Sequence, residues 1–146
     1  VGDFRPNKDN YARKCLNAVE ALGLQEYVHF EGYSDQIEKW YQLADLTVLA
    51  SRREGMARCM IESISCGTPV LSFEVVSAIE ILEKYNCGVV VKQRCYDCLN
   101  EAIIQLYKKP ERLPTLGKNG VNISRSLFES SKIVEEYENI YINPEY

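Results

Sequence analysis

The chain has 146 residues, 46% of them hydrophobic and 26% charged, with a formal net charge of -4. This is the balance of a soluble globular domain with enough residues for one core, and it excludes a disordered or fibrous chain. The acidic balance offers no field to hold a nucleic-acid backbone, so no nucleic-acid partner is expected. The longest apolar run, Leu46 to Ala50, is far too short to span a bilayer.

The chain opens at Val1 rather than Met, on an apolar-Gly-Asp sequence with the character of a strand end. A piece of a longer protein is therefore expected. Asn7 to Leu22 reads as a helix, with Ala12, Cys15, Leu16, Val19 and Leu22 at helical spacing and Gly23 as its stop. Val28 to Glu31 reads as a short strand ended by Gly32. Ser34 or Asp35 then caps a helix carrying Ile37, Trp40, Tyr41 and Ala44 on one face. Leu46 to Ala50 is an apolar strand expected to be covered on both faces. A polar loop, Ser51 to Glu54, leads into a helix over Met56 to Cys66, which Gly67 ends. Pro69 to Phe73 is the next strand, Ser77 to Tyr85 a short helix, and Gly88 to Val91 a further strand. From about Tyr96 the chain reads as mostly helical, broken at Gly117 and Gly120. Lys132 to Tyr141 carries an apolar stripe of Ile133, Tyr137, Ile140 and Tyr141. Strands alternating with helices predict an α/β, Rossmann-like, doubly wound parallel sheet spanning residues 1–146 as one domain. Such sheets bind ligands outside the carboxyl ends of their strands.

The six cysteines are irregularly spaced. They read as reduced core residues of a cytoplasmic protein. Cys95 and Cys98 form one Cys-x-x-Cys without the second Cys/His pair that a structural zinc site needs, and no metal site is expected. A redox motif ordinarily opens a helix after the first strand of its fold, and this pair comes late in the chain. There is no G-x-G-x-x-G fingerprint, no phosphate loop around Gly117 to Gly120 and no G-x-S-x-G elbow. The only histidine, His29, reads as a packed or edge strand residue.

What remains is Glu54-Gly55-Met56-Ala57-Arg58-Cys59-Met60-Ile61-Glu62, after the strongest strand. Gly55 lets the backbone approach a ligand and turn into the helix. The amides of Gly55, Met56 and Ala57 then become the unpaired donors of a helix N-terminus, suited to a diphosphate. Glu62 follows at about 9–10 Å along the axis, at about 1.5 Å per residue. A carboxylate accepts both hydroxyls of a diol, which makes it a natural partner for ribose. The same two glutamates also fit a plainer reading, as a first-turn anion and a solvent-facing helix residue.

The stretch resembles the Glu-seven-residues-Glu motif of the retaining glycosyltransferase family 4, whose fold is GT-B. Ordered matches accompany it along nearly the whole chain. They are Val1-Gly2-Asp3, Leu22-Gly23-Leu24 with Val28-His29-Phe30-Glu31-Gly32, and Leu43-Ala44-Asp45-Leu46 with Leu49-Ala50-Ser51. Beyond the motif come Cys66-Gly67-Thr68-Pro69-Val70, and Glu80-Ile81-Leu82 with Gly88-Val89-Val90-Val91. The resemblance implies the C-terminal, donor-binding domain of a GT-B enzyme, lacking its N-terminal acceptor domain and the upstream Arg and Lys that neutralise the diphosphate. As an isolated piece the chain is expected to be inactive. The implied reaction is hexosyl transfer with retention, from a UDP-, GDP- or ADP-sugar to a glycan or lipid-linked acceptor, as in polysaccharide biosynthesis, without metal or other cofactor.

The resemblance places Glu54 at the transferred sugar and Glu62 at the ribose. Backbone groups of Gly55, Met56 and Ala57 meet the phosphates and sugar, Arg58 is a further sugar or phosphate contact, and Gly32 and Tyr33 lie near the nucleobase. Two departures stand out. Ala57 replaces a frequent Gly, and Val75, Val76 and Ser77 replace the glycine pair expected before Glu80. The last helix of the family crosses back to the N-terminal domain, a role that fits Lys132 to Tyr141. The implied location is cytoplasmic, with the parent enzyme at the inner face of the membrane. The alternatives are a non-catalytic nucleotide-sugar-binding domain, or an epimerase or phosphorylase on the same fold.

Overall fold

The computed structural model describes residues 1–2, 4–51, 53–92 and 95–142. Asp3, expected at a strand end, and Arg52, in the expected loop, lie outside them. The chain forms two compact units, residues 1–40 and 41–146.

In the first unit, α1 (Asn10–Ala21) begins three residues later than the periodicity suggests, because Asp9 is the cap and accepts the Tyr11 amide at 2.8 Å. Its predicted stripe is the least exposed face, with Ala12 buried and Cys15, Leu16 and Val19 half-buried. Residues 28–31 do not form the predicted strand. Among the described residues one backbone bond, from the Gly2 amide to the Gly32 carbonyl at 2.6 Å, ties this stretch to the chain start. Phe4 and Phe30 stack beside it, with ring centroids 4.1 Å apart. Ser34 rather than Asp35 makes the capping bond, accepting the Gln36 amide ahead of α2 (Ile37–Leu43), within which the boundary between the units falls.

The second unit holds a three-stranded parallel sheet in the order β1 (Thr47–Leu49), β2 (Val70–Phe73), β3 (Gly88–Val91). Thr47 pairs with Val70, and Val70 with Gly88. Between β1 and β2 lies α3 (Arg58–Ser65). Between β2 and β3, α4 (Val76–Ala78) continues as a π-helical stretch, Ile79–Glu83. Three helices follow: α5 (Tyr96–Lys108), α6 (Arg112–Phe128) and α7 (Ser130–Ile142). Alternation along the strands feeds two cores. Val70 joins Met60, Ile64, Ala78 and Leu82 on one face. Leu71, Phe73 and Val91 join Leu99 of α5 on the other. The doubly wound α/β expectation holds, and β2 is buried at every position.

Four expectations change. Val48 of β1 is 43% exposed rather than covered, since it pairs with Leu71 and so faces the side of α5, which packs on β2 and β3. The helix expected from Met56 starts at Arg58, because Ala57 holds an extended conformation and Gly55 and Met56 form a bend. The cysteines are not all reduced, since Cys95 and Cys98 are joined by a disulfide. Finally, Gly117 and Gly120 break nothing. Both lie buried inside α6, and the helical run is instead divided around Pro110 and Glu129. A Cβ on Gly117 would stand 2.1 Å from the Gly67 carbonyl oxygen, and one on Gly120 2.9 Å from Ile64 Cβ. The glycines are there so that α6 can lie against the end of α3. Gly67 itself has φ +85 and closes α3, its amide donating to Ile64 O and that of Thr68 to Ser63 O.

The α7 stripe is uncovered, with Tyr137, Ile140 and Tyr141 more than half exposed. Among the described residues no helix is long and apolar enough to cross a membrane.

Gly117→Ala sets helix propensity, a gain of about 1 kcal/mol, against a backbone clash that no rotamer relieves. Urea denaturation is expected to show a net loss of about 1–3 kcal/mol; a gain would mean that α6 does not touch Gly67.

Candidate functional site

The site is built on α3, which follows β1 at the carboxyl edge of the sheet. Ser63, fully buried, donates to Thr47 Oγ1 at 2.8 Å or to Thr68 O at 2.9 Å, fixing the helix against the start of β1 and its own exit loop. Thr68 Oγ1 donates to the carbonyl of Tyr41 and so ties down α2's last turn. Met60 and Ile64 plug the underside of α3 into the core.

The other end of α3 is left open. Its cap, Ala57, has no side chain that can accept an amide. Met60 N–H already bonds to Ala57 O. The amides of Arg58 and Cys59 make no backbone–backbone hydrogen bond among the described residues and lie where the helix dipole is positive. The helix-end donors thus belong to Arg58 and Cys59, while Gly55, Met56 and Ala57 form the approach to them. With the helix starting at Arg58, Glu62 sits about one turn in, or about 6 Å along the axis, rather than two turns.

Both glutamates act on one side chain. The Cys59 thiol is pushed up first by burial, then by the carboxylate of Glu54 and, more weakly, by that of Glu62. Both carboxylates are thus within electrostatic reach of Cys59. Glu62 is held from two sides. Arg58 Nη2 approaches Oε1 at 3.6 Å, and the buried Tyr41 donates to Oε2 at 3.4 Å. The Arg58 side chain is 88% exposed, so solvent screens that ion pair. Tyr41 is 8% exposed, and its phenol is pushed up to about 12 by burial and then by the Glu62 carboxylate.

Glu54, Gly55, Met56, Ala57, Arg58 and Glu62 are therefore gathered at one helix end, whereas Gly32 and Tyr33 belong to the first unit. There Gly32, with φ +69, lines a pocket with Phe4, His29 and Phe30, and Tyr33 is 83% exposed. Ser77, where the glycine pair was expected, is buried, and its hydroxyl has no hydrogen-bond partner among the described residues. Sequence reasoning missed Tyr41 and Cys59. Tyr41 showed only as one member of an apolar stripe, and Cys59 as a core thiol. Among the described residues no three His, Cys, Asp or Glu side chains converge as a metal-ligand set.

Comparison with known proteins places this geometry in context. A family model described as glycosyl transferases group 1 matches residues 1–122. The O-antigen biosynthesis glycosyltransferase WclY of Escherichia coli is 30% identical over 128 residues, covering 88% of this chain and 35% of that protein. Sucrose-phosphate synthase from Thermosynechococcus elongatus superposes with a TM-score of 0.81 at 27% identity, over 90% of this chain and 34% of that one. HepE of Anabaena, solved in complex with UDP, has a TM-score of 0.88 at 22% identity, over 97% of this chain and 39% of its own. The last likeness is one of fold. The chain spans roughly a third of the length of these relatives.

Since the folded Tyr41 phenol ionises near pH 12 rather than 10, the unfolded state loses that proton first as pH rises. The phenol's contribution to stability is complete below pH 10 and falls between pH 10 and about 12. Tyr41→Phe is expected to remove that part of the alkaline slope in denaturation curves and the latest-ionising phenolate from the absorbance titration. An unchanged slope would mean that the Tyr41 phenol is neither buried nor beside Glu62.

Proposed function

The chain belongs to the glycosyl transferases group 1 family, and from that premise we propose that it is the donor-binding, C-terminal half of a retaining GT-B hexosyltransferase. The parent enzyme moves a hexosyl group from a UDP-, GDP- or ADP-sugar to a glycan or lipid-linked acceptor. The observation that carries this reading is the extended Ala57, which leaves the start of α3 without a side-chain cap between Glu54 on the preceding loop and Glu62 one turn into the helix.

In this reading the amides from Gly55 to Cys59 receive the diphosphate. The helix dipole stabilises the charge that grows on the leaving phosphate as the glycosidic bond breaks. Glu62 accepts the two ribose hydroxyls, held in place for them by Tyr41 and Arg58. Glu54, on the loop before the helix, meets the hydroxyls of the sugar being transferred. Gly32 and Tyr33 serve the nucleobase. UDP is the favoured nucleotide because the structurally similar HepE binds it.

The cations that complete diphosphate binding come from the rest of the protein, as does the acceptor site, and the reaction needs no metal. Placing an anionic donor beside two carboxylates is costly without those cations. The uncovered stripe of α7 supports a docking role against the N-terminal domain. Together these features fit an isolated chain that is inactive without the rest of its parent enzyme.

Calorimetric titration of the full-length parent enzyme with UDP, GDP and ADP tests the reading. UDP is expected to bind, and Glu62→Ala to weaken it by about 1.5–3 kcal/mol, the worth of a hydrogen bond to a charged group. An unaltered affinity in the variant, or no binding by any of the three, rejects the assignment. In the parent enzyme, Glu54→Gln is expected to slow transfer on the order of a hundredfold, the scale of losing one aimed polar group at a reacting centre. Full activity there would remove Glu54 from the chemistry.

A further inference from the structure

The Cys95–Cys98 bond has no part in the site just described, and its surroundings are those of a reactive pair. Cys95 is the N-cap of the 13-residue α5, the first helix after β3. Its sulfur accepts the Cys98 amide at 3.0 Å. The ring closed by the disulfide spans a sequence separation of only three. So short a loop constrains the unfolded chain weakly, which leaves the bond little structural purpose.

Both cysteines are half-buried, with different neighbours. Cys98 packs against the cluster of Leu71, Phe73, Val91 and Leu99. Cys95 is half-buried at the helix end, followed by the exposed Tyr96 and Asp97. Tyr96 meets Phe73, the last residue of β2, edge to face at 5.9 Å, which holds the turn against the sheet. The other thiols contrast with this. Burial pushes Cys87 up to about 11, and burial with the Glu54 carboxylate pushes Cys59 up, so both stay protonated and inert.

We propose that Cys95–Cys98 is a thiol–disulfide exchange site that takes a dithiol reductant, with Cys95 as the exchanging sulfur. One thiolate of the dithiol attacks Cys95 Sγ, forming a mixed disulfide, and Cys98 leaves as a thiolate and takes a proton. The second thiol of the reductant loses its proton and attacks its partner sulfur, releasing Cys95. The dithiol is oxidised to a disulfide and two electrons pass to the cysteine pair, Cys98 taking one proton and Cys95 being released as a thiolate, the second proton going to solvent. The released Cys95 thiolate keeps the Cys98 amide as its donor, at the positive end of α5.

The test is alkylation of the folded 146-residue chain, read by peptide mass spectrometry with and without dithiothreitol. The bond is expected to open in native buffer, after which iodoacetamide labels Cys95 about tenfold or more faster than Cys59 or Cys87. Cys98→Ser is expected to form a mixed disulfide with oxidised glutathione on Cys95, while Cys95→Ser forms none on Cys98. Opening only under denaturant, labelling of Cys95 no faster than Cys59, or equal capture by the two variants each overturns the proposal. None of these outcomes bears on nucleotide binding.

Discussion

Main-chain contact between α6 and the end of α3 is the constraint from which the rest of the second unit follows. Gly117 lies so close to Gly67 that no side chain fits between them, and Gly120 rests on Ile64 in the same way. Because α6 meets the end of α3 at backbone distance, that end of α3 is held between α6 and the sheet. Ser63 adds polar ties to Thr47 and to Thr68, one at each margin of the clamp. A helix fixed this firmly has a fixed N-terminus, and that end is where the carboxylates collect. The glycines sit well away from the site in sequence, yet they set its position.

The electrostatics of the site are unbalanced in an informative way. One open helix end faces two glutamates, and of the cations nearby Arg58 is exposed and paired weakly with Glu62. The inward side of that carboxylate is held by a neutral phenol instead. A neutral donor fixes a carboxylate without cancelling its charge, so Glu62 keeps its capacity to accept further hydroxyl donors. This suits a diol better than it suits a phosphate. It is also why the family reading assigns the phosphates to the amides and to cations from elsewhere in the protein.

The disulfide adds a second chemistry at the end of β3. Its position between the predicted strand Gly88 to Val91 and the helix from about Tyr96 was legible in the sequence, whereas its closure as a disulfide was not.

Much of this was legible in the residues. Local patterns respond to local forces, so α1, α3, β2 and β3 were found from periodicity and from Gly23 and Gly67, whose left-handed conformations end helices whatever surrounds them. The ordered motifs from Glu54 to Val70 and beyond identified the family, since they record what a shared ligand site demands of a chain. Other features depended on contacts between distant segments. Gly117 and Gly120 look like breakers by propensity and act as packing surfaces, because a missing side chain matters most where another backbone presses in. Val28 to Glu31 has the composition of a strand, but a strand exists only through a neighbour. Tyr41 gained its role from Glu62, 21 residues away, and that pairing was settled by where α3 came to rest.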